Sequence, residues 1–232
     1  MKILELYTFI LISAQAAALA AVGCTLNNPD RDILRLFPEA TNYKTQFITI
    51  EDNGGQALLK EFEEKLGDKF EPKYESIEVP YAYYTVLKKD QTIGYVHGVN
   101  QKGRFGGMQL ILATEPNGLI TDFYYQKLTS PESKKFRNPE FTSKFNGLTL
   151  ADFYQKDISE IITDPTEKNY QDYKATIRGI FKNLIMYDEF MLENLYDEVY
   201  QKTLEKNNDP NSVEQKNDGL NNNDGEKNEN SN

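Results

Sequence analysis

The stretch YAYYTVLKKDQTIGYVHGVNQKGRFGGMQLILATEPNGLITDFYYQ, residues 81–126, decides the fold. It holds four runs of aromatic and β-branched residues, which favour strands, and these runs cover residues 81–88, 92–99, 107–114 and 119–126. Turn-forming residues separate them, namely Lys89-Asp90, Asn100 to Gly103 and Pro116-Asn117-Gly118. Strands that follow one another through short turns pair antiparallel. The stretch therefore predicts an antiparallel β-meander.

Helical spacing of apolar residues appears on both sides of the meander. Residues 31–37 predict a short helix before Pro38, and residues 56–66 predict a second helix that ends at Gly67. After the meander, an apolar stripe of period 3.6 predicts one long helix over residues 175–200. These elements predict an α+β fold, in which an antiparallel β-meander sheet packs against helices on one of its faces.

Two other segments complete the domain. Residues 46–51 alternate enough to predict a further strand. Residues 128–147 are polar and predict a loop. That loop carries three spaced phenylalanines, Phe136, Phe141 and Phe145.

The composition of the 232 residues excludes several kinds of site. One cysteine rules out a disulfide scaffold, a zinc cluster and a cysteine-ligated iron–sulfur cluster. The single histidine, His97, lies in a strand run, and we expect a packed residue rather than a ligand or a catalytic base. A net charge of −10 argues against nucleic-acid binding, which needs clustered positive charge. The 15 Tyr and 13 Phe suffice for a core and for binding a flat aromatic ligand.

The sequence divides into three parts. Residues 1–23 are apolar and predict a signal or membrane anchor, whereas residues 24–205 are long enough for one domain with its own core. Residues 206–232 contain ten Asn and only two aliphatic residues, Val213 and Leu220. Such a segment cannot bury enough apolar surface to offset its ordering entropy, so we expect a disordered acidic tail.

The apolar run at residues 6–22 leaves three readings of the N-terminus. The run is followed by Gly23-Cys24, and the small residues before Cys24 match the end of a bacterial lipoprotein signal. On that reading Cys24 is lipidated and becomes the first residue. The run could instead remain as one transmembrane anchor, or it could form an ordinary buried helix. The first two readings predict a membrane-anchored protein on the extracytoplasmic face.

Short phrases along the chain occur in a recognisable order. They are Leu36-Phe37-Pro38-Glu39-Ala40, Gly94-Tyr95-Val96, Phe105-Gly106-Gly107, Asn117-Gly118-Leu119-Ile120, Thr129-Ser130-Pro131-Glu132 and Phe141-Thr142-Ser143-Lys144-Phe145-Asn146-Gly147. In order and spacing they resemble the FMN-binding domain of the G subunit of Rnf electron-transport complexes and of the C subunit of the sodium-pumping NADH:quinone reductase. This domain also occurs in flavin-carrying lipoproteins. The resemblance covers about residues 31–200, and it implies that Gly106, Gly107, Ser130 and Pro131 lie near a flavin.

The phrase Tyr173-Lys174-Ala175-Thr176-Ile177-Arg178 stands where that family has its flavin attachment motif. The motif reads Ser or Asp, Gly, Ala, Thr or Ser, any residue, then Ser or Thr, and its central hydroxyl carries FMN through a phosphoester bond. Ala175 and Thr176 match the motif, whereas Lys174 replaces the glycine and Arg178 replaces the second hydroxyl residue. The resemblance implies that Thr176 is the position that faces the FMN phosphate.

Phosphate chemistry suggests what these residues do. A helix N-terminus presents unbonded backbone N–H groups and the positive end of the helix dipole to a phosphate. We expect Thr176 at such a helix start, with Lys174 and Arg178 as two cations that clamp the phosphate. FMN or another phosphorylated ligand would then be held without a covalent bond. Alternatively, the two cations are solvated surface charges.

Three hypotheses for function follow. The first is a membrane-anchored, extracytoplasmic flavin-binding protein that relays electrons, as a subunit of a membrane redox complex rather than a stand-alone enzyme. The second is a cofactor-free accessory or assembly subunit that keeps the FMN-binding fold. The third is a lipoprotein that binds an unrelated small molecule. The expected partners are the membrane, other subunits of a redox complex and, for covalent attachment, a flavinyl transferase.

Overall fold

The computed structural model describes residues 24–70, 76–166 and 168–208. The predictions for residues 1–23, and for all but the first residues of the acidic tail, lie outside the described residues. Within the described ranges, no helix combines the length and the apolar character needed to cross a membrane.

A five-stranded sheet forms the centre of the domain, and its strands are neighbours in sequence order. The strands are β1 (Asn42–Ile48), β2 (Tyr81–Lys88), β3 (Gln91–Lys102), β4 (Gly107–Thr114) and β5 (Ile120–Leu128). Each neighbouring pair runs antiparallel. The predicted β-meander is therefore confirmed, and β1 extends the sheet at one edge.

Helices precede, interrupt and follow the sheet. They are α1 (Pro29–Leu36), α2 (Gly55–Leu66), α3 (Ser133–Phe136), α4 (Pro139–Thr142), a 3₁₀ turn (Ser143–Phe145), α5 (Leu150–Gln155), α6 (Ile158–Ile161), α7 (Tyr170–Met191) and α8 (Asp197–Asn208). The α+β class is thus confirmed.

Both faces of the sheet are covered, so the expectation that helices pack on one face only is wrong. Successive residues of a strand point to opposite faces, and in β2 to β4 both sets are apolar. The face under α7 buries Tyr83, Val99, Leu110 and Leu112 together with Ile180 and Leu184 of the helix. The opposite face is covered by α1 and the chain before it, through Cys24, Leu26, Ile33 and Phe37.

Gly179 lets α7 lie directly on the sheet. A Cβ added at Gly179 would be only 2.1 Å from Cδ1 of Leu110 and 3.1 Å from Cβ of Gln101. Real Cβ atoms do not approach other heavy atoms so closely, so a glycine is required at this contact. The close approach places the first half of α7 directly on strands β3 and β4.

Two strands begin or end at residues other than those predicted. Strand β1 covers Asn42–Ile48 rather than residues 46–51, because a turn closes after Ile48. In this turn the hydroxyl of Thr49 donates to Oδ2 of Asp52 and accepts the backbone N–H of Asp52. Strand β3 continues to Lys102 through residues predicted as a turn. Gly103 N–H donates to the carbonyl of Gly106, so the turn lies one step further along.

Two helical predictions also change. Residues 128–147 are not one loop, because α3, α4 and the 3₁₀ turn fold there around buried Phe136, Phe141 and Phe145. The long helix begins at Tyr170 and ends at Met191, and α8 follows separately. Glu193 and Asn194 have left-handed backbone conformations, with φ of 55° and 60°, and they separate α7 from α8.

Candidate functional site

Two phrases of the sequence meet beside the start of α7. The backbone N–H of Arg104, in the β3–β4 turn, donates to Oδ1 of Asp172 at 2.6 Å. Nδ2 of Asn169, the residue before α7, donates to Oγ of Ser130 at 2.7 Å. A Cβ added at Gly106 would lie 3.0 Å from Thr129. The structure thus brings the Gly-Gly turn and the Ser-Pro phrase together beside α7.

The neighbouring residues of these phrases hold the junction in place. Gly107 is the first residue of β4 and pairs with Lys102 across the hairpin. Pro131 is exposed and follows Ser130, whose carbonyl accepts the N–H of Ser133 at 3.2 Å and closes the turn into α3. Neither residue makes a polar side-chain contact of its own, so their part in the junction is to shape the backbone.

Thr176 does not lie at the start of a helix, contrary to the prediction. Helix α7 begins at Tyr170, which puts Thr176 in its second turn. The backbone N–H groups of a second turn are already bonded within the helix. The sequence signals for the earlier start are Asn169, in the N-cap position, and Asp172 in the first turn. Both are polar residues outside the apolar stripe from which the helix was predicted.

The hydroxyl of Thr176 is fully buried and fully bonded. It donates to the backbone carbonyl of Asp172 at 2.8 Å. Because its proton is used there, the hydroxyl of Tyr125, 2.8 Å away, is the donor of the second bond. Burial raises the pKa of Tyr125, so Tyr125 keeps its proton. Sδ of Met108 closes the remaining side at 4.0 Å.

Asp172 occupies the favourable place for an anion at the start of α7. Its side chain is completely buried and accepts hydrogen bonds from Arg104 N–H and from Nδ2 of Asn169. A negative group in the first turn is stabilised by the helix dipole. The protein's own carboxylate therefore stands where the resemblance would place a phosphate. A phosphoester at Thr176 would need to displace Tyr125 and lie against this carboxylate, so these residues do not fit covalently attached FMN.

Lys174 and Arg178 do not flank Thr176. Residues two apart on a helix point about 200° away from each other, so both cations lie on the opposite side of α7. All three nitrogen groups of Arg178 are engaged, by Asp68 at 3.0 Å, Gln101 at 2.9 Å and the carbonyl of Lys69. The Nζ atom of Lys174 lies 4.8 Å from the ring centre of Tyr170. The predicted two-cation clamp is therefore not formed at Thr176, and Ala175 packs against the core.

Lys174 and Arg178 instead line a cleft between α7, the end of α2 and the start of α6. The cleft has a volume of about 500 Å³. Its lining residues are Leu66, Asp68, Asp157, Ser159, Tyr170, Lys174, Ile177, Arg178 and Phe181. Two cations and two carboxylates balance in charge, and apolar and aromatic side chains supply much of the wall. Such a lining suits a flat ligand that carries one anionic group near Lys174.

His97 is packed in the core, as expected. Its ring stacks on Tyr187 at 4.3 Å and on Tyr83 at 5.7 Å between ring centres. Nδ1 lies 2.8 Å from Oδ1 of Asn183. Burial lowers the pKa of His97 to about 4, although the bond to Asn183 partly opposes this shift. The imidazole is therefore neutral at physiological pH. Among the described residues, no group of three or more His, Cys, Asp and Glu side chains is placed to hold a metal ion.

Cys24 lies inside the back-face core with 1% of its surface exposed. A Cβ added at Gly98 would be 2.9 Å from its Sγ atom, so the thiol fills the space over that glycine. The next residues are also held, because Leu26 N–H donates to the hydroxyl of Tyr84 at 3.1 Å. A lipid on Cys24 would require this segment to leave the sheet.

No protein-family model matches the sequence, and no curated protein matches it.

Proposed function

We propose that this chain is an accessory subunit of a membrane redox complex, anchored on the extracytoplasmic side, which keeps the fold of a flavin domain without a flavin ester on Thr176. The observation that carries the proposal is the enclosed hydroxyl of Thr176, which is bonded to Tyr125 and to the carbonyl of Asp172. Esterification would remove the proton that Thr176 donates to the carbonyl of Asp172 and would place a phosphodiester anion beside the buried side chain of Asp172. Both changes are costly in a protein interior.

The junction at the start of α7 suits an assembly role. Arg104, Ser130, Asn169 and Asp172 tie the β3–β4 turn, the loop after β5 and α7 to one another through hydrogen bonds. Surfaces held by such a network keep their shape, which lowers the ordering cost when a partner subunit docks. The resemblance along residues 31–200 suggests that this partner belongs to a membrane electron-transport complex.

The proposed anchor is the apolar run at residues 6–22, retained as one transmembrane segment. The burial of Cys24 against Gly98 supports retention over lipidation, because a thioether-linked lipid has no room there. Metabolic labelling with palmitate tests this point. We expect no label on the wild-type chain, and a label that disappears in Cys24→Ser would restore the lipoprotein reading.

Co-expression with a flavinyl transferase tests the state of Thr176. Intact-mass spectrometry is expected to show no added FMN on the wild-type chain. The double variant Lys174→Gly/Arg178→Thr restores the family motif except at its first position, where Tyr173 stands in place of Ser or Asp. It serves as the control, and we expect it to remain unmodified, because Thr176 stays buried. An FMN adduct on the wild-type chain would overturn the proposal. An adduct on the double variant alone would show that the motif, and not burial, prevents attachment.

The cleft beside Lys174 favours a second candidate function, the non-covalent binding of FMN by a subunit that relays electrons. Tyr170, Ile177 and Phe181 offer apolar and aromatic surface to a flat ring, and Lys174 offers a cation to the phosphate. Among the described residues Lys174 forms no salt bridge. Its charge does act on Asp157 of the same cleft, whose pKa is lowered chiefly by hydrogen bonds from Ser159 and also by Lys174. Bound FMN would supply the redox chemistry, while the cleft would orient it and set its exposure.

Titration of the apoprotein with FMN and with riboflavin, followed by flavin fluorescence, tests this candidate. Lys174→Gln is expected to weaken FMN binding about tenfold, since a charge-assisted hydrogen bond is lost. The same variant should leave riboflavin binding unchanged, because riboflavin has no phosphate. Lys134→Gln, an exposed lysine of α3 outside the cleft, is the matched control. Equal weakening of both ligands, or no binding by the wild-type chain, would contradict the candidate.

A further inference from the structure

The tip of the β3–β4 hairpin carries an exposed aromatic side chain. Phe105 has 49% of its surface exposed, although it lies in a turn of only four residues between Lys102 and Gly107. The guanidinium of Arg104 lies 5.1 Å from the ring centre of Phe105. The turn itself is fixed, because Gly103 N–H bonds to Gly106 and Arg104 N–H bonds to Asp172. The ring is thus held outward by ordered backbone.

Positive charge surrounds this ring. The exposed cations near the tip are Lys102, Arg104, Lys127 and Lys168. Lys127 of β5 pairs with Gln109, which lies close to the tip near the start of β4. The carbonyl of Lys168 accepts a hydrogen bond from the guanidinium of Arg104 at 3.5 Å. None of these four cations makes an ion pair with a carboxylate in the part of the chain that the structure describes. The described residues at this end are therefore basic, in a chain whose net charge is −10.

The described chain also begins on the side of this tip. Cys24 lies at the level of Gly98 in β3, and Leu26 lies against Tyr84, which is paired with Val96. Thr25 and Asn27 both bond to the side chain of Gln126, which also contacts Gln109, the partner of Asn100 in β3. The described chain therefore begins over the half of β3 that leads to Phe105.

We propose that the tip formed by residues 102–107, with Phe105 at its centre and Lys102, Arg104, Lys127 and Lys168 around it, rests on the anionic surface of the membrane that holds the N-terminal anchor. An aromatic ring flanked by cations fits the headgroup region, where the ring enters the boundary with the acyl chains and the cations meet anionic headgroups. This inference rests on the membrane anchor of the proposed function. To that function it adds an orientation of the domain, in which the start of α7 lies on the side that faces the membrane.

The absence of tryptophan from the chain provides a single-site reporter. Phe105→Trp places the only tryptophan at the tip. Leu195→Trp is the matched control, because Leu195 is 56% exposed and its neighbour Tyr196 donates to the carbonyl of Asn117 in the turn at the other end of β4. Strand β4 has 8 residues, so the two reporters are separated by roughly 25 Å at the usual rise per strand residue.

The full-length variants are reconstituted into phosphatidylcholine vesicles with and without phosphatidylglycerol, and bromine-labelled lipid is used as the quencher. Flotation of the wild-type chain with the vesicles first tests the anchor alone. We then expect the Phe105→Trp fluorescence to shift to the blue and to be quenched in vesicles that contain phosphatidylglycerol. Leu195→Trp should show neither change. Adding Lys102→Gln and Arg104→Gln to Phe105→Trp should lower the tip's partitioning about fivefold for each charge removed.

The outcomes distinguish the membrane anchor from the orientation of the tip. Failure of the chain to float removes the anchor and with it the proposed localisation. A chain that floats while Phe105→Trp and Leu195→Trp respond alike keeps the anchor but overturns the orientation of the tip. Quenching that is equal with and without phosphatidylglycerol, and unaffected by 0.5 M salt, would overturn the role of the cations, because salt screens exposed charges.

Discussion

The hydroxyl of Tyr125 on β5 lies 2.8 Å from Oγ1 of Thr176 on α7, and both groups are buried. This bond joins residues 51 positions apart and ties the helix to the edge strand of the sheet. Thr176 is thereby a core residue that holds two elements together. Thr176 would instead carry the FMN if the resemblance to the FMN-binding family extended to covalent flavin attachment.

The first prediction is a coupling energy between these residues. Thr176→Val keeps the shape of the side chain but leaves the hydroxyl of Tyr125 without an acceptor, which costs about 1–3 kcal/mol of the free energy of unfolding. Tyr125→Phe removes the donor from the other side. In the double variant both partners are gone, so we expect a coupling energy of about 1 kcal/mol from urea denaturation. Strictly additive costs would mean that the bond does not form in solution.

The second prediction concerns the contact of α7 with the sheet. Gly179→Ala forces a methyl group to within 2.1 Å of Leu110 unless the helix moves, and overpacking of this kind costs about 1–3 kcal/mol. Gly107→Ala is the control, because a Cβ added there meets nothing within 4 Å. Urea denaturation of both variants measures the difference. Equal stability of the two variants would show that α7 shifts freely over β4.

Much of the fold could be predicted because its signals are local. Strands β2 and β4 match the predicted runs, since continuous runs of aromatic and aliphatic residues form them and Lys-Asp or Pro-Asn-Gly turns end them. Gly67 ends α2 with φ of 67°, as expected of a glycine C-cap. These features depend on residues a few positions apart, where periodicity and turn chemistry act directly.

The site could be predicted only in part because its contacts are long-range. The resemblance predicted that Gly106 and Ser130 lie near a flavin; the structure brings the Gly-Gly turn and the Ser-Pro phrase together beside α7, and flavin binding there stays a prediction. The partners of Thr176 and Arg178 could not be predicted, because Tyr125 and Asp68 are remote in sequence. The start of α7 was missed for a local reason: the polar residues Asn169 and Asp172 initiate the helix before its apolar stripe begins.

The third prediction is that His97 titrates far below its usual range. Because burial lowers the pKa of folded His97 from 6.5 to about 4, the unfolded chain binds more protons than the folded chain between these values. Stability therefore falls as pH drops through this window, with a slope of up to about 1.4 kcal/mol per pH unit. The protein has one histidine, so its imidazole NMR signal is unambiguous. We expect a midpoint near 4 when folded and near 6.5 in urea; a folded midpoint above 6 would contradict the burial.

The fourth prediction is that Asp188→Asn stabilises the protein at neutral pH. Burial raises the pKa of Asp188 from 3.8 to about 6, although Tyr196 N–H bonds to its carboxylate. The folded chain therefore binds more protons than the unfolded chain between these values, and stability is lost as pH rises through this window. Asparagine keeps an oxygen for Tyr196 without the charge, so we expect a gain of about 1–2 kcal/mol at pH 7.5 and little gain at pH 4. Urea denaturation at the two pH values measures this gain. The control that should not stabilise is Asp197→Asn, which removes a partly exposed carboxylate that pairs with Lys65 at 3.5 Å. A gain of equal size at both pH values would show that removing the charge is not the cause.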